Sequence, residues 1–190
     1  AMNSPFRSVT TPEKVRLRVD DFLLLNENGA FAEYSKTELL DGEIYFMNAQ
    51  QSRHARIKTD MAFELGLILR QMDTELRPIV EASTRVSDYS LPEPDIVVTS
   101  YKGPHIVPLE SVALLVEVSD TTLKIDLGRK LRIYAAAGIA EYWVIDAEGK
   151  LLHQMWWPSA KSYREKRVVA LGARVEAMTV AGLGVETAGL

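Results

Sequence analysis

Two nearly continuous aliphatic runs, Asp95-Ile96-Val97-Val98 and Leu114-Leu115-Val116-Glu117-Val118, set the tightest limit on what this chain folds into. Short apolar runs without polar alternation read as strands covered on both faces. Strands are expected around 79–86, Asp95–Thr99 and Ala113–Ser119. Each of the last two carries a carboxylate where one is costly. A charge inside a sandwiched strand costs several kcal/mol unless it is paired, metal-bound or neutralised. Alternation places Glu117 on one face with Leu115 and Ser119. Either carboxylate alone is explained by a strand end that reaches solvent or by a buried Lys or Arg partner. Two of them in neighbouring strands point to a site.

The rest of the chain supplies helices for that sheet. Ile57, Met61, Leu65, Ile68 and Met72 recur at helical spacing, so a helix is expected over 53–72. Thr11-Pro12-Glu13 has a capping side chain followed by Pro, which predicts a helix start, with the end near Asn26–Gly29. Asp41-Gly42 between apolar runs predicts a tight hairpin, because such turns need positive φ. Residues 124–137 return to helical spacing through Leu127, Leu131 and Tyr134 and stop at Gly138. Glu141–Asp146 and Lys150–Trp156 read as two strands about Glu148-Gly149. The tail from 161 reads as one or two more strands ending in Gly-rich sequence. No internal repeat occurs. Residues 1–10 read as a loose leader, in which Ala1 ahead of Met2 has the look of an expression scar, and 11–190 as one domain. Helices mixed with a hairpin-containing sheet give an α/β class with a mixed sheet.

Composition removes several chemistries. The 190 residues include no cysteine, which excludes a disulfide framework, a thiolate zinc site and a Cys nucleophile. Three histidines without cysteine make no closed zinc site. No apolar run reaches the ~18–20 residues of a membrane span and no signal peptide opens the chain, so a cytoplasmic location is expected. The net charge of −4 argues against non-specific coating of nucleic acid. Ser52 near His54 lacks an oxyanion motif, and Gly182-Leu183-Gly184 is no phosphate loop. His105 and His153 have no partner pattern. Trp156-Trp157 with Tyr163 reads as core or interface, or as a nucleobase stack.

Two further side chains and two basic runs bear on the carboxylates. On a helical wheel Lys130 falls within about 60° of Leu127 and Tyr134, the sheet-facing stripe. It either snorkels outward, pairs with Asp126 one turn earlier, or points in towards the carboxylates to stabilise developing negative charge. His54 lies on the apolar stripe of its helix, as a packed histidine or a ligand. Lys124, Arg129, Lys130 and Arg132 face a lone Asp126 within 124–132, and Lys161, Arg164, Lys166 and Arg167 a lone Glu165 within 161–167. Each run reads either as solvated surface or as the wall of a DNA groove.

Pro94-Asp95-Ile96-Val97-Val98, Leu115-Val116-Glu117-Val118-Ser119-Asp120-Thr121-Thr122, Asp126 with Lys130 and Tyr134, and Gly138-Ile139-Ala140-Glu141-Tyr142-Trp143-Val144-Ile145-Asp146 together resemble the Uma-two family of restriction-endonuclease-like proteins. Glu38-Leu39-Leu40-Asp41-Gly42-Glu43 and His54 match the same pattern, so the resemblance spans roughly 35–150. It implies the PD-(D/E)xK nuclease fold, a central mixed sheet flanked by helices, here with an N-terminal helix and β-hairpin. It further implies a metal-dependent DNA endonuclease. Asp95, Glu117 and the Val118 carbonyl would be the ligands of Mg²⁺ (or Mn²⁺), and Asp95, Glu117 and Lys130 the catalytic groups. The superfamily's lysine is missing after Val118, where Ser119 stands, and Lys130 on the following helix takes its place. Glu38, Glu43, His54 and Tyr134 would form an outer shell, with Lys124, Arg129 and Arg132 on DNA and a homodimer as the natural duplex cutter. The other class open to such a chain is a nuclease-fold module without catalysis, acting in DNA binding or assembly.

Overall fold

A computed structural model describes residues 9–190; Ala1 and most of the expected leader lie outside them. The first helix does not begin at Thr11. It starts at Val19, as α1 (Val19–Glu27). The competing pull is tertiary: the Leu17 N–H donates to the Gly42 carbonyl (3.0 Å), and the Arg16 guanidinium lies 4.2 Å from the centre of the Tyr89 ring. Those contacts hold the backbone out of a helix until Arg18, whose N–H donates to Asp21 Oδ2 at 2.9 Å. Asp20 and Asp21 then favour the positive end of the helix dipole.

The hairpin forms as expected, from β1 (Lys36–Leu40) and β2 (Glu43–Met47). Asp41 and Gly42 both take positive φ, 55° and 80°. A Cβ on Gly42 would lie 2.6 Å from the Arg16 Cβ. Gly42→Ala is therefore expected to cost about 2 kcal/mol, read from urea unfolding, through left-handed strain and loss of the Leu17 strap.

The long helix is α2 (Ser52–Gln71), which buries Ile57, Met61, Leu65 and Leu69. Leu69 fills the position expected of Ile68, which packs half-buried alongside. The single strand expected over 79–86 is two: β3 (Arg77–Val80) and β4 (Thr84–Arg85), broken at Glu81, whose φ is 52°. Then follow β5 (Ile96–Thr99), β6 (Val107–Pro108), which pairs with β4, and β7 (Val112–Ser119).

The next helix is not one piece. It runs as α3 (Leu123–Ile125), a π-helical turn over Asp126–Lys130, and α4 (Leu131–Ala136), ended by Gly138 at φ 81°. The chain closes with β8 (Glu141–Asp146), β9 (Leu151–Pro158), β10 (Tyr163–Ala170), β11 (Arg174–Glu176) and β12 (Gly184–Glu186).

Six strands form the central mixed sheet, in the order β10-β9-β8-β7-β5-β3. Only β7 and β8 are parallel, joined by the helical crossover that parallel neighbours require. Side chains of Ile96, Val98, Leu114, Val116, Val118, Trp143 and Ile145 meet α2 on one face. Val97, Leu115, Tyr142, Val144 and Met155 meet Tyr134 and Ala135 of α4 on the other. The doubly covered sheet read from the two apolar runs is thus present.

Two further groups near the tail serve structure. Glu141 is fully buried, yet its carboxylate accepts from Trp143 Nε1 (2.6 Å) and from the Met178 and Thr179 N–H groups (both 2.8 Å), which pins the tail to β8. Trp156 and Tyr163 are buried, whereas Trp157 turns outward at φ 57°. No helix among the described residues is long and apolar enough to cross a membrane.

Candidate active site

Antiparallel pairing places Ile96 opposite Val116, so Asp95, just ahead of β5, meets the C-terminal end of β7. The Asp95 N–H points at Glu117 Oε2 (3.4 Å), and Asp95 Oδ2 accepts from the Val118 N–H (2.8 Å). Helix α2 approaches this end from one face. Its His54 Nε2 lies 3.1 Å from Asp95 Oδ2, while Gln50, just before the helix, donates to Oδ1 at 3.1 Å.

The π-helical turn approaches from the opposite face. Lys130 Nζ donates to Glu117 Oε1 at 2.9 Å and to Glu38 Oε1 of β1 at 3.1 Å. Tyr134 donates its hydroxyl to the same Glu117 oxygen at 2.9 Å. Of the three readings of Lys130, the inward one holds. Asp126 is not its partner: that carboxylate accepts from Ser119 Oγ (2.5 Å) and Thr122 Oγ1 (2.6 Å) instead. π-turns inside helices recur at functional sites. Here the turn carries Lys130 while α4 carries Tyr134 one turn on.

Electrostatics divide the two carboxylates. Burial pushes Asp95 up, but the His54 hydrogen bond and charge, the Val118 N–H and Lys36 outweigh it and hold the carboxyl down at about 2. Burial raises Glu117 to about 8; Lys130 opposes this, and the charges of Asp126, Asp95 and Glu38 add to it. Lys130 itself is buried, which disfavours its charge, yet Glu117, Glu38 and Asp126 raise its pKa above the ordinary lysine value. Tyr134, pushed up by burial and by Glu117, stays neutral. One acid is fixed as an anion and its neighbour is poised near neutrality, the pattern by which active sites separate roles.

These groups line a cavity of about 310 Å³, whose walls include Glu38, His54, Asp95, Glu117, Val118 and Lys130. Among the described residues no group of three or more His, Asp or Glu side chains is set to hold a metal. The donors that do converge are carboxylate oxygens with the Val118 backbone beside them, and the buried Glu38 Oε2 has the Lys130 ammonium at 3.1 Å but no aligned hydrogen bond. This set fits a small hard cation that keeps most of its waters, as Mg²⁺ does, and does not fit an all-protein cage for Zn²⁺ or Ca²⁺.

The Uma2 family, described as "Putative restriction endonuclease", matches residues 19–188. The chain belongs to it. No curated protein matches the chain. A crystal structure described as a "putative nuclease belonging to DUF820" from Anabaena variabilis shares the fold. Its TM-score is 0.64 at 16% identity, over 85% of this chain and 89% of that one. The fold is restriction-endonuclease-like, with the mixed sheet flanked by helices.

Within this Uma2 chain the expected residues separate into two groups. Asp95, Glu117, Val118, Lys130, Glu38, His54 and Tyr134 come together. Glu43 does not: its carboxylate accepts from Arg129 (2.8 Å), Tyr45 (2.8 Å) and Lys14 (3.4 Å), outside the cavity. Glu43 neighbours the turn of the hairpin, whereas Glu38 sits lower on the paired strand, and only the latter reaches the sheet end. Arg129 and Arg132 line a separate cleft of about 620 Å³ together with Lys161, so the two basic runs meet. Lys124 is exposed and lines neither space.

Three polar residues at the site escaped the sequence reading. Lys58 lies one helical turn after His54, and donates to Gln50 Oε1 (2.7 Å) and pairs with Glu81. Lys36 sits two residues before Glu38, on the same strand face, and donates to the Glu93 carbonyl (3.0 Å). Both spacings were readable. Gln50, in a loop, carried no signal.

Proposed function

We propose that the chain is a divalent-metal-dependent endodeoxyribonuclease of the cytoplasm, with Asp95, Glu117 and Lys130 as its catalytic groups. One observation carries the reading: a lysine from the crossover helix reaches Glu117 at 2.9 Å, beside Asp95, where the superfamily's own lysine position holds Ser119. Asp95, Glu117 and the Val118 carbonyl would hold Mg²⁺ (or Mn²⁺), which when bound neutralises a phosphate oxygen and acidifies water.

The chain's own groups supply the remainder. His54, Gln50 and the Val118 N–H fix the Asp95 carboxylate as an anion. Tyr134 and Lys130 orient Glu117. Lys130, held charged in a dry site, stabilises negative charge building on the phosphate or orients the attacking water. Arg129, Arg132 and Lys161 offer a phosphate-binding wall in the separate cleft. Cutting both strands of a duplex calls for two such sites, which a homodimer supplies.

Cleavage of supercoiled plasmid and of single-stranded DNA, in Mg²⁺ or Mn²⁺ against EDTA, tests this. The wild type should cut only with metal, and Asp95→Ala and Glu117→Gln should not cut. Activity surviving either substitution unchanged would remove the site assignment. The non-catalytic alternative rests on a specific observation: Lys130 is already engaged by two carboxylates. It predicts DNA binding or a stable dimer with no cleavage on any substrate.

A further inference from the structure

The catalytic cavity adjoins a second space of about 520 Å³, and the two share Lys36, Asn48, Ala49 and Gln50 as walls. Two large aromatic side chains mark this junction. Phe46 borders the catalytic cavity and Tyr34 the adjoining one. They are 62% and 46% exposed, and they pack on each other with ring centroids 5.0 Å apart at 36°. Neither ring is fixed in the core. Their position is nevertheless defined, because Ser35 Oγ donates to the Met47 carbonyl at 2.9 Å and Lys36 pairs with Met47 across the hairpin.

Charge decides what such a pair could receive. The adjoining space is lined by Glu81 and Glu93, whose carboxylates already pair with Lys58 and with Lys36 at 3.4 Å, so its lining offers a phosphate no unengaged cation. The separate cleft, lined by Arg132, Lys161 and the Glu43-paired Arg129 with Asp41, suits phosphate instead. A neutral, flat, polar-edged group is the ligand that matches exposed ring faces beside Asn48, which lines both spaces. A nucleobase is such a group, but only when unpaired, since in a duplex its faces are stacked on neighbours.

Resting on the nuclease reading above, we infer that the Tyr34–Phe46 pair is a stacking platform for an unpaired base of the substrate strand. The substrate class is accordingly single-stranded or locally melted DNA, with its backbone running past the basic cleft.

Binding in EDTA separates this inference from catalysis. The full chain is titrated into a short fluorescein-labelled single strand and into the matching duplex, followed by anisotropy. The same strand carrying 2-aminopurine reports stacking by quenching. Tyr34→Ala and Phe46→Ala should each weaken single-strand binding by about tenfold, change duplex binding by about twofold or less, and relieve the quenching. Phe46→Trp should retain binding, whereas Phe46→Leu should behave like the alanine variant. Both alanine variants binding the single strand as the wild type does, or an unquenched probe in the wild-type complex, would overturn the platform. If wild-type binding shows the platform signature but Mg²⁺ and Mn²⁺ give no cleavage, the platform stands and the nuclease reading falls. If cleavage proceeds and the aromatic variants leave it and binding untouched, the reverse holds.

Discussion

Lys130→Met is expected to lower metal-dependent cleavage by about 10³-fold and to destabilise the fold by about 3 kcal/mol. Lys130 lies buried within 3.1 Å of Glu38 and 2.9 Å of Glu117. Removing it leaves two buried carboxylates facing each other without a cation, and breaking such a pair from one side commonly costs ~3–5 kcal/mol. The lower end is expected here, because Glu117 already holds its proton up to about 8 and can remain neutral. The double variant Lys130→Met/Glu38→Gln, which also removes the second facing carboxylate, should recover much of the lost stability in urea unfolding at neutral pH, while cleavage stays absent. A purely structural lysine would give a different pattern: cleavage would return together with stability in the double variant. Lys130→Arg should keep the charge yet fail to restore full activity, because a planar fork does not fit the space of a compact ammonium.

The place of Lys130 on the sheet-facing stripe was legible in advance, though not its choice of the inward course, and so was the face that Glu117 takes. Both follow from local periodicity: two residues per repeat on a strand, and about 100° per residue on a helix. Asp95 was legible for a different reason, since an acid opening a fully buried strand has few affordable environments. What stayed hidden depends on contacts distant along the chain. The delayed start of α1 reflects the bond from Leu17 to Gly42, and that partner is not adjacent in sequence. The break between β3 and β4 turns on positive φ at Glu81, a residue type with no preference for it. Glu38 and Glu43 were equivalent as symbols, both acidic in one hairpin. Only the docking of that hairpin, through the pair of hydrogen bonds between Leu39 and Leu91, makes one a wall of the cavity and the other a surface partner of Arg129.

Asp95→Asn and Asp95→Ala should agree in activity and disagree in stability. Both remove the anion, so both should lose cleavage by about 10³-fold or more and abolish Mn²⁺ binding in calorimetric titration. The side chain's structural duties are separate from its charge. Asp95 accepts from the Val118 N–H at 2.8 Å, from Gln50 Nε2 at 3.1 Å, and faces His54 Nε2 at 3.1 Å. Asparagine keeps one oxygen at the Oδ2 position, which serves both the Val118 N–H and His54, and loses only the acceptor for Gln50 at Oδ1, so its unfolding free energy should stay within about 1 kcal/mol of wild type. Alanine orphans a buried strand N–H and a buried ring nitrogen together, and should cost about 2–4 kcal/mol. Burial alone would raise this carboxyl, and three neighbours are arranged to push it down to about 2 instead. If asparagine folds as well as aspartate, the packing has no need of that charge. The neighbours then stabilise an anion for the chemistry of the site, and the fold carries the desolvation cost of keeping it there.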